Sequence, residues 1–539
     1  MSSTTSFSTT SFSTTTAMSP PSPSSSLSID KALDVDFTNP ETAFGNKSMF
    51  ELIRSYTIFS LCTVRPLVSN ADKVLSLSKQ VFGGTVVDAV VKQTFFKHFC
   101  GGETVDDLRP CIKLLNENGI NGILDYAAEN APDDAIVTSP EDQNIEINQP
   151  ARTYDYFSEE QCDHHVEIFK TCIRAVKEVT PHGFAALKIT ALGNPLLLER
   201  MSTAIVESAR LFDRFDKSGD GLVTVVNFEK VYREVFTDAE ERLPDLIPRL
   251  DANGDGLIDY IEWSKLLKPQ DLPRLVENCV NKEGPLSKAC PNPEELELMI
   301  RMRERLFDIA ECAAENNVRL LIDAEQTYYQ PAIDNLTISL MKAFNTGDVP
   351  VIFNTYQCYL KDAATRVEID LDRAKRNNYH FAAKLVRGAY MVAERQRAKE
   401  MGYESPIHDT IEDTHNCYNN LMQKLIEDQH TNKTSGEVMV ASHNKDSIEQ
   451  AVALLQELGK DKEKSGVHFA QLLGMRDDLS FNLGNSGYSA MKYVPYGKVE
   501  EVLPYLIRRA QENSDITAGM GQEIVMIKKE IMRRVGMAS

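Results

Sequence analysis

Near the C-terminus, the stretch 505–513 spaces aromatic and charged side chains as neighbours on one face of a helix. They stand at positions i, i+3, i+4 and i+7 and are Tyr505, Arg508, Arg509 and Glu512. Pro504 precedes them, where the first turn of a helix tolerates proline. Two adjacent guanidinium groups can bind a small carboxylate through bidentate hydrogen bonds. The alternative is a solvated face on which Arg508 pairs with Glu512.

Eight short β-branched or apolar runs, each followed by a longer amphipathic stretch, predict parallel βαβ units. Eight is also the number of strands that closes a (β/α)8 barrel. The segment before them, from about residue 40 to 118, has the pattern of helices. The predicted strands are 119–126, 185–191, 319–324, 349–356, 380–388, 438–443, 467–472 and 490–494.

Polar side chains stand at the carboxyl ends of these predicted strands, the end of a (β/α)8 barrel that carries its active site. Buried packing does not explain such a concentration of polar groups, so this pattern indicates an enzyme. The residues are Lys188, Asp323, Glu325, Gln357, Lys384, Arg387, His443 and Tyr493.

The composition narrows the class of protein. A formal net charge of −21 and a pI near 5.0 argue against binding to a nucleic-acid backbone. Ten scattered cysteines without CxxC spacing fit reduced thiols inside a cell. The apolar run 56–68 contains Arg65 and is too short to span a bilayer. The first thirty residues are nearly all Ser, Thr and Pro and are expected to be disordered, without the basic residues of a transit peptide.

A long segment between the second and third predicted strands contains an EF-hand loop at 251–262. Oxygen ligands fall at the expected positions, Gly256 makes the sharp turn, and the twelfth residue can bind calcium with both carboxylate oxygens. The implied Ca²⁺ ligands are Asp251, Asn253, Asp255, Leu257 (through its carbonyl), Asp259 and Glu262.

A second loop of this kind begins at Asp216, but its twelfth residue is Asn227, which offers no bidentate carboxylate. Val223 and Ile258 would pair between the two loops. The sequence therefore predicts one competent Ca²⁺ site and one weak or empty site, the alternative being a structural remnant that binds no metal. The ligands of the weaker site would be Asp216, Ser218, Asp220, Leu222 and Thr224.

With these residues placed, the chain resembles the proline dehydrogenase family, flavin-dependent (β/α)8-barrel enzymes that oxidise L-proline. The resemblance runs from about Phe95 to Arg509 and beyond, interrupted by the EF-hand segment, and 408–415 is closest to eukaryotic mitochondrial members. Its markers are Leu187–Lys188, Leu321–Glu325, Gln357–Leu360, Lys384–Tyr390, Ala441–Asn444, Phe469–Met475, Lys492–Gly497 and Tyr505–Asn513.

The resemblance implies a role for each site residue. Arg508, Arg509 and Lys188 would bind the substrate carboxylate. Tyr493, Tyr505 and Leu472 would wall the pyrrolidine ring, and Tyr390 would help to close the pocket. The implied catalytic residues are Asp323, which would contact a cation or the substrate amine, and Lys384, where bacterial relatives have an arginine beside the flavin. FAD would contact Ala324, Gln357, Arg387, Gly388, Ala389, Ser442 and His443.

The resemblance also implies the product 1-pyrroline-5-carboxylate, a membrane quinone as electron acceptor, and a mitochondrial location with peripheral contact to the inner membrane. The expected fold is an α/β (β/α)8 barrel with an N-terminal helical region and an inserted all-α EF-hand pair. The expected parts are a tail at 1–30, helices at 31–118, the barrel at 119–200 and 290–539, the EF-hand pair at 201–270 and a linker at 271–289.

Two other functions compete with proline oxidation. Hydroxyproline dehydrogenase shares the fold and the cofactor, but its ring hydroxyl needs room where Tyr493 is bulky and the hydroxyproline enzymes have a small residue. A calcium-sensing protein built on an inactive barrel would use the EF-hand pair alone. The two arginines, Lys188 and the flavin positions favour the enzyme.

Overall fold

The chain folds around a closed barrel of parallel strands. The computed structural model describes residues 33–126, 156, 158–180, 182–265, 272–432, 436–515 and 517–537. The predicted tail at 1–30 lies outside them. The strands are β1 (Ile120–Tyr126), β2 (Phe184–Leu187), β3 (Leu222–Thr224), β4 (Leu257–Asp259), β5 (Arg319–Ile322), β6 (Ile352–Gln357), β7 (Ala382–Val386), β8 (Glu437–Ala441), β9 (Val467–Leu472) and β10 (Ala490–Tyr496).

Eight of these strands form the barrel in the order β1-β10-β9-β8-β7-β6-β5-β2, and β3 pairs with β4 in a separate sheet. Alternate side chains point inward, so Met491 and Tyr493 of β10 both reach the interior apolar cluster. Ala382 of β7 belongs to the same cluster, and Lys384 follows two residues later on the same face. The predicted eight-stranded α/β barrel is confirmed.

The second strand is shorter than predicted. It ends at Leu187, and Ile189–Leu192 forms a 3₁₀-helix instead of extended strand. The apolar run through Ala191 is typical of a buried strand, but the Thr190 backbone N–H and hydroxyl both bond to the Glu325 carboxylate, at 3.3 and 2.8 Å. This tertiary contact turns the chain away from the barrel wall.

The N-terminal region is helical, as expected, and includes a π-helix at Lys92–Phe96. Its helices pack against the C-terminal part of the chain: α2 contacts the last helix, and residues 87–99 share an apolar cluster with residues 499–510. The helices are α1 (Pro40–Phe44), α2 (Met49–Cys62), α3 (Arg65–Ser69), α4 (Ala71–Phe82), α5 (Gly84–Val91), α6 (Lys97–Phe99) and α7 (Val105–Asn116).

The remaining helices surround the barrel or lie in the segment inserted between β2 and β5. None of the helices in the described ranges combines the length and apolar character needed to cross a membrane. They are α8 (Glu159–Val179), α9 (Pro195–Phe215), α10 (Val225–Val235), α11 (Ala239–Leu250), α12 (Tyr260–Ser264), α13 (Leu272–Glu277), α14 (Pro285–Ala289), α15 (Pro293–Asn316), α16 (Gln330–Phe344), α17 (Ala363–Arg376), α18 (Met391–Met401), α19 (Ile411–Asn432), α20 (Lys445–Glu457), α21 (Asp477–Asn485), α22 (Val499–Asp515) and α23 (Thr517–Arg534).

The inserted segment has an apolar cluster of its own, in which Phe215, Phe228 and Trp263 are fully buried. The predicted pairing of Val223 with Ile258 is confirmed by the antiparallel register of β3 and β4. The predicted boundary between residues 200 and 201 falls inside α9, which runs from the barrel into the insert without a break. The insert is therefore joined to the barrel by a continuous helix.

The helix that carries the two arginines begins earlier than predicted. It starts at Val499, so Pro504 lies in its interior rather than in its first turn. Val502, Tyr505 and Leu506 are all buried in the cluster shared with the N-terminal helices. Burial of this face stabilises the helix by more than the loss of one backbone hydrogen bond at proline destabilises it.

Candidate active site

A buried carboxylate joins two lysines at the carboxyl end of the barrel. Asp323 Oδ1 accepts a hydrogen bond from Lys384 Nζ at 2.5 Å, and its Oδ2 lies 3.3 Å from Lys188 Nζ. The Tyr493 hydroxyl donates to the same Oδ2 at 3.2 Å. All four side chains are buried. Because a charge in a dry interior is costly unless it is paired, the Asp323 carboxylate offsets part of the cost of burying both lysines.

Four different strands bring these groups together. Lys188 and Asp323 directly follow β2 and β5, whose ends are tied by the Asp323 N–H bond to the Leu187 carbonyl at 2.9 Å. Lys384 and Tyr493 project inward from β7 and β10. The sequence predicted that these residues share one end of the barrel, and it left the partner of Asp323 open. In the structure that partner is a pair of lysines and a tyrosine.

A second polar group lies beside this cluster, after β5 and β6. The Gln357 amide donates to the Glu325 carbonyl at 2.8 Å, and the Glu325 N–H donates to the Gln330 amide oxygen at 2.9 Å. Burial raises the pKa of the Glu325 carboxyl to about 7, against the opposing effect of its bonds from Thr190. Sequence reasoning missed Thr190 and Gln330, because only the folded barrel brings them to Glu325.

Arg387 is held by neutral groups. Its guanidinium donates to the Ser442 hydroxyl at 2.6 Å, to the Ser447 hydroxyl at 2.9 Å and to His415 Nδ1 at 3.0 Å. It also lies over the Tyr418 ring, 4.5 Å from its centre. Burial lowers the pKa of Arg387, and in the described part of the chain no carboxylate lies within ion-pair distance of it. Such a group is suited to an anionic or carbonyl-bearing ligand.

The backbone conformation of Gly388 and the protonation of the His443 imidazole are both set by neighbouring groups. Gly388 has φ +136°, and a Cβ at this position would lie 2.5 Å from the Tyr359 ring, so a side chain there is excluded. His443 Nε2 accepts the Leu472 N–H at 3.2 Å, which leaves Nδ1 to carry the proton. Burial, followed by the charges of Lys492 and nearby arginines, lowers the pKa of His443 to about 3. This imidazole is neutral at physiological pH.

The arginine-bearing helix α22 closes onto this end of the barrel. The Arg509 guanidinium lies 4.9 Å from the centre of the Tyr505 ring and bonds to Glu512, whereas the solvated-face alternative paired Glu512 with Arg508. Arg509 is buried, and its Nε has no hydrogen-bond partner in the described residues. Leu472 packs against both the apolar cluster of Tyr505 and that of Tyr493. It therefore links the arginine helix to the barrel interior.

A buried ionic group supports this end of the barrel, and sequence reasoning missed it. Lys492 is fully buried and pairs with Asp477 at 2.7 Å, and Asp477 also contacts Lys47 of the N-terminal region. The Glu523 carboxylate accepts the backbone N–H groups of Arg476 and Asp477 at 2.8 and 3.0 Å, and Arg476 donates to the His443 carbonyl. Lys492 is the first residue of the marker segment Lys492–Gly497, and this was the only feature of the sequence that could have pointed to the group.

Comparisons with known proteins show which family the chain resembles. Residues 229–522 match the family model for proline dehydrogenase. The chain is 38% identical to "Proline dehydrogenase 1, mitochondrial" of Caenorhabditis elegans, over 93% of this chain and 89% of that protein. The protein of the same name from Homo sapiens is 35% identical, over 96% and 91%. "Hydroxyproline dehydrogenase" of Xenopus laevis is 30% identical, over 91% and 89%.

Among solved structures, the chain is similar in fold to proline utilization A (PutA) from Bdellovibrio bacteriovorus, inactivated by N-propargylglycine. The TM-score is 0.54 at 15% identity, over 94% of this chain. The chain spans 41% of the length of that PutA chain. This likeness supports the barrel architecture.

The buried Glu325 carboxyl predicts a dependence of stability on pH. Its folded pKa of about 7 lies above the ordinary value of 4.5, so the neutral acid is favoured in the fold. The stabilisation is present below pH 4.5 and is lost as the pH rises through about 7. We expect Glu325→Gln to remove this loss, which thermal unfolding of both proteins between pH 5 and 8 measures. The same pH slope in both would contradict the assignment.

Proposed function

The chain belongs to the proline dehydrogenase family, and we propose that it oxidises L-proline to 1-pyrroline-5-carboxylate with FAD and passes the electrons to a quinone. The observation that carries this proposal is the buried group of Lys188, Asp323 and Lys384 at the carboxyl end of the barrel. Two ammonium groups and one carboxylate have a net charge of +1 between them, which suits an anionic substrate. Since two similar relatives are named mitochondrial, we also propose a mitochondrial location.

We propose that the substrate binds between the barrel interior and α22. Arg508 and Arg509, together with Lys188, would hold its carboxylate, and the buried Nε of Arg509 without a partner supports this role. Leu472, which packs toward both Tyr493 and Tyr505, would form one wall of the ring pocket, with these tyrosines as the others. Tyr390, buried at the start of α18, would close the pocket. A carboxylate fixed by several cations also fixes the orientation of the ring.

The residues at the neighbouring strand ends fit FAD. Arg387, half-buried among neutral hydroxyl and imidazole groups, offers a cation to a phosphate or a flavin oxygen. The backbone at Gly388 is exposed, and the neutral His443 offers an N–H. When bound, FAD supplies the hydride acceptor. The residues proposed to hold it are Ala324, Gln357, Arg387, Gly388, Ala389, Ser442 and His443.

Within this site, we propose that Asp323 positions the two lysines rather than removing a proton. Both of its carboxylate oxygens are occupied, Oδ1 by Lys384 and Oδ2 by Lys188 and Tyr493. The Lys384 ammonium keeps a positive charge near the proposed flavin site, which favours a reduced, anionic cofactor. Proline would lose a hydride from the carbon beside nitrogen and a proton from nitrogen to give the imine product.

The absorbance spectrum of anaerobic purified protein tests this function. We expect an oxidised-flavin band that L-proline bleaches.

Arg509→Met should lower kcat/KM for proline on the order of a hundredfold, because a buried charge pair with the substrate is lost. The control is Arg301→Met, which removes an exposed ion pair with Glu297 and should leave kcat/KM unchanged. A flavin band that proline does not bleach would exclude proline as the substrate, and the lack of any such band would exclude the cofactor.

The match to a hydroxyproline dehydrogenase makes that reaction the second candidate function. Tyr493 decides between them, because its ring lies in the barrel interior and its hydroxyl is bonded to Asp323. We expect the natural protein to prefer proline and Tyr493→Ser to raise the ratio of kcat/KM for trans-4-hydroxyproline to that for proline at least about tenfold. Equal kcat/KM values for both substrates in the natural protein would contradict the proposal.

We propose that residues 201–270 form an EF-hand pair that binds Ca²⁺ through the loop at 251–262. The donor set fits, and Asp251 Oδ1 is a buried carboxylate oxygen without a hydrogen-bond partner in the described chain. Gly256, with φ +78°, makes the turn that the loop requires. Over the described residues, no three His, Cys, Asp or Glu side chains are gathered as a metal site. Asp259, the ninth residue, contacts Arg376 of α17 instead.

Contacts between the insert and α17 provide a route by which Ca²⁺ would modulate the enzyme. Ser264, two residues after Glu262, accepts a hydrogen bond from Arg373 at 2.6 Å. Arg373 pairs with Asp370 at 3.4 Å, and Asp370 accepts the Tyr356 hydroxyl at 2.9 Å. Tyr356 precedes Gln357, one of the proposed FAD residues, on β6. A shift of α12 on metal binding would therefore reach the strand that ends at the site.

Thermal unfolding with Ca²⁺ and with chelator tests the metal site. Ca²⁺ at a hundredfold excess over Kd should stabilise the natural protein by about 2.7 kcal/mol, whereas Glu262→Gln should remove this gain because its bidentate ligand is lost. Glu229→Gln is the matched control, a half-buried carboxylate after the weaker loop that pairs with Arg233, and it should keep the full gain. Equal stability of the natural protein in Ca²⁺ and chelator would show that the insert is a structural remnant.

A further inference from the structure

Two cysteine side chains meet where β6 ends against α19. Cys358 directly follows Gln357, the last residue of β6, and it is fully buried. Cys417 lies on α19, and its side chain is half-buried. The Cys358 thiol donates a hydrogen bond to the Cys417 sulfur. Both cysteines are free thiols in the structure, and we call them the thiol pair.

A histidine is held beside the thiol pair by the backbone. The His408 N–H donates to the Tyr359 carbonyl at 2.8 Å, and the adjacent residues Leu360 and Ile407 form an antiparallel bridge. This pairing places the His408 side chain in hydrogen-bond contact with Cys417. A thiol that contacts an imidazole and a second thiol has the neighbours that activate cysteine in proteins.

The surroundings give the two thiols different roles. The hydrogen bond from Cys358 lowers the pKa of the Cys417 thiol against the opposing effect of burial, and His408 lowers it further. Burial, followed by the same hydrogen bond, raises the pKa of Cys358. Cys290 is half-buried like Cys417, but burial raises the pKa of its thiol. Because the thiolate is the reactive form, Cys417 is suited to attack and Cys358 to follow.

We propose that Cys417 and Cys358 are a redox-active pair that a hydroperoxide oxidises to a disulfide. The Cys417 thiolate attacks the terminal peroxide oxygen and breaks the O–O bond, which gives a sulfenic acid and, after proton uptake, an alcohol. The Cys358 sulfur then attacks the Cys417 sulfur and displaces the sulfenic oxygen as water. Two thiols and one hydroperoxide thus become one disulfide, one alcohol and one water, and two electrons pass from sulfur to oxygen.

The disulfide would act on the proposed cofactor site. On α19, Cys417 is flanked by His415 and Tyr418, both of which contact the Arg387 guanidinium. A disulfide holds its sulfur atoms about 2.05 Å apart, closer than hydrogen-bonded atoms lie. Its formation therefore draws α19 toward the end of β6 and displaces the groups that hold Arg387. This effect on FAD rests on the proposed function, whereas the disulfide itself does not.

Peptide mapping under non-reducing conditions tests the thiol pair. The full-length, FAD-loaded protein is treated with hydrogen peroxide at neutral pH, alkylated and digested. We expect a peptide linked through Cys358 and Cys417, two hydrogen atoms lighter than its separate parts, that dithiothreitol cleaves. Cys290, the matched half-buried cysteine, should be oxidised at least about tenfold more slowly. Absence of the linked peptide, or oxidation of Cys290 as fast as that of Cys417, would overturn the proposal.

Substitutions assign the order of the two steps. C358S should stop at the Cys417 sulfenic acid, which the dione reagent dimedone labels. C417S should give neither this adduct nor a linked peptide, because the remaining thiol is buried, and the control C290S should form the disulfide like the natural protein. A dimedone adduct on Cys358 in C417S would contradict the assigned roles. The mapping of the natural protein needs no substitution and decides the case if C358S does not fold.

The affinity for FAD separates this inference from the proposed function. Oxidation should raise the Kd for FAD of the natural protein about tenfold, and peroxide should leave that of C417S unchanged. Equal Kd values in the oxidised and reduced natural protein would overturn the effect on the cofactor site. A disulfide in a protein whose flavin proline does not bleach would overturn the proposed function and support the thiol pair. Bleaching by proline in a protein that forms no disulfide would do the reverse.

Discussion

The site depends on one carboxylate that pairs with two lysine side chains inside the barrel. An unpaired ammonium in such an interior would lose its proton or destabilise the fold. Asp323 faces Lys188 and Lys384 with different oxygens, and Tyr493 completes its hydrogen bonding. Because these groups come from β2, β5, β7 and β10, their pairing fixes how four strand ends meet. The same pairing sets the positive charge that an anionic substrate would encounter.

A second buried group of charges holds the surrounding elements in place. Lys492 and Asp477 pair beneath the loop after β9, and Lys47 brings the N-terminal region to the same carboxylate. Glu523 brings α23 to the start of α21 by accepting two backbone N–H groups. The N-terminal helical region and α23 therefore both contact the carboxyl end of the barrel. Removing one partner of such a group leaves a buried charge, which costs far more than an exposed ion pair would.

The sequence was sufficient to predict the barrel strands but not the partners of the buried side chains. All eight barrel strands were predicted, because each is a short apolar run before an amphipathic helix, and the prediction that Lys188, Asp323 and Lys384 share one end of the barrel agrees with their contacts. What Asp323 would contact was open, since chain position does not determine side-chain geometry across a barrel. The overlong second strand and the late start of α22 have a common cause. In both, a tertiary contact, at Thr190 and at the buried face of Val502, outweighed the local signal.

The distribution of charge explains how an acidic chain can bind anionic ligands. Its formal net charge is −21, yet six cations gather at the carboxyl end of the barrel, several of them paired with Asp323, Asp477 or Asp478: Lys188, Lys384, Arg387, Arg476, Lys492 and Arg509. A buried cation acts at short range in a medium of low dielectric constant, whereas exposed carboxylates are screened by water and salt. The field at the site is therefore set by the cations that the barrel encloses.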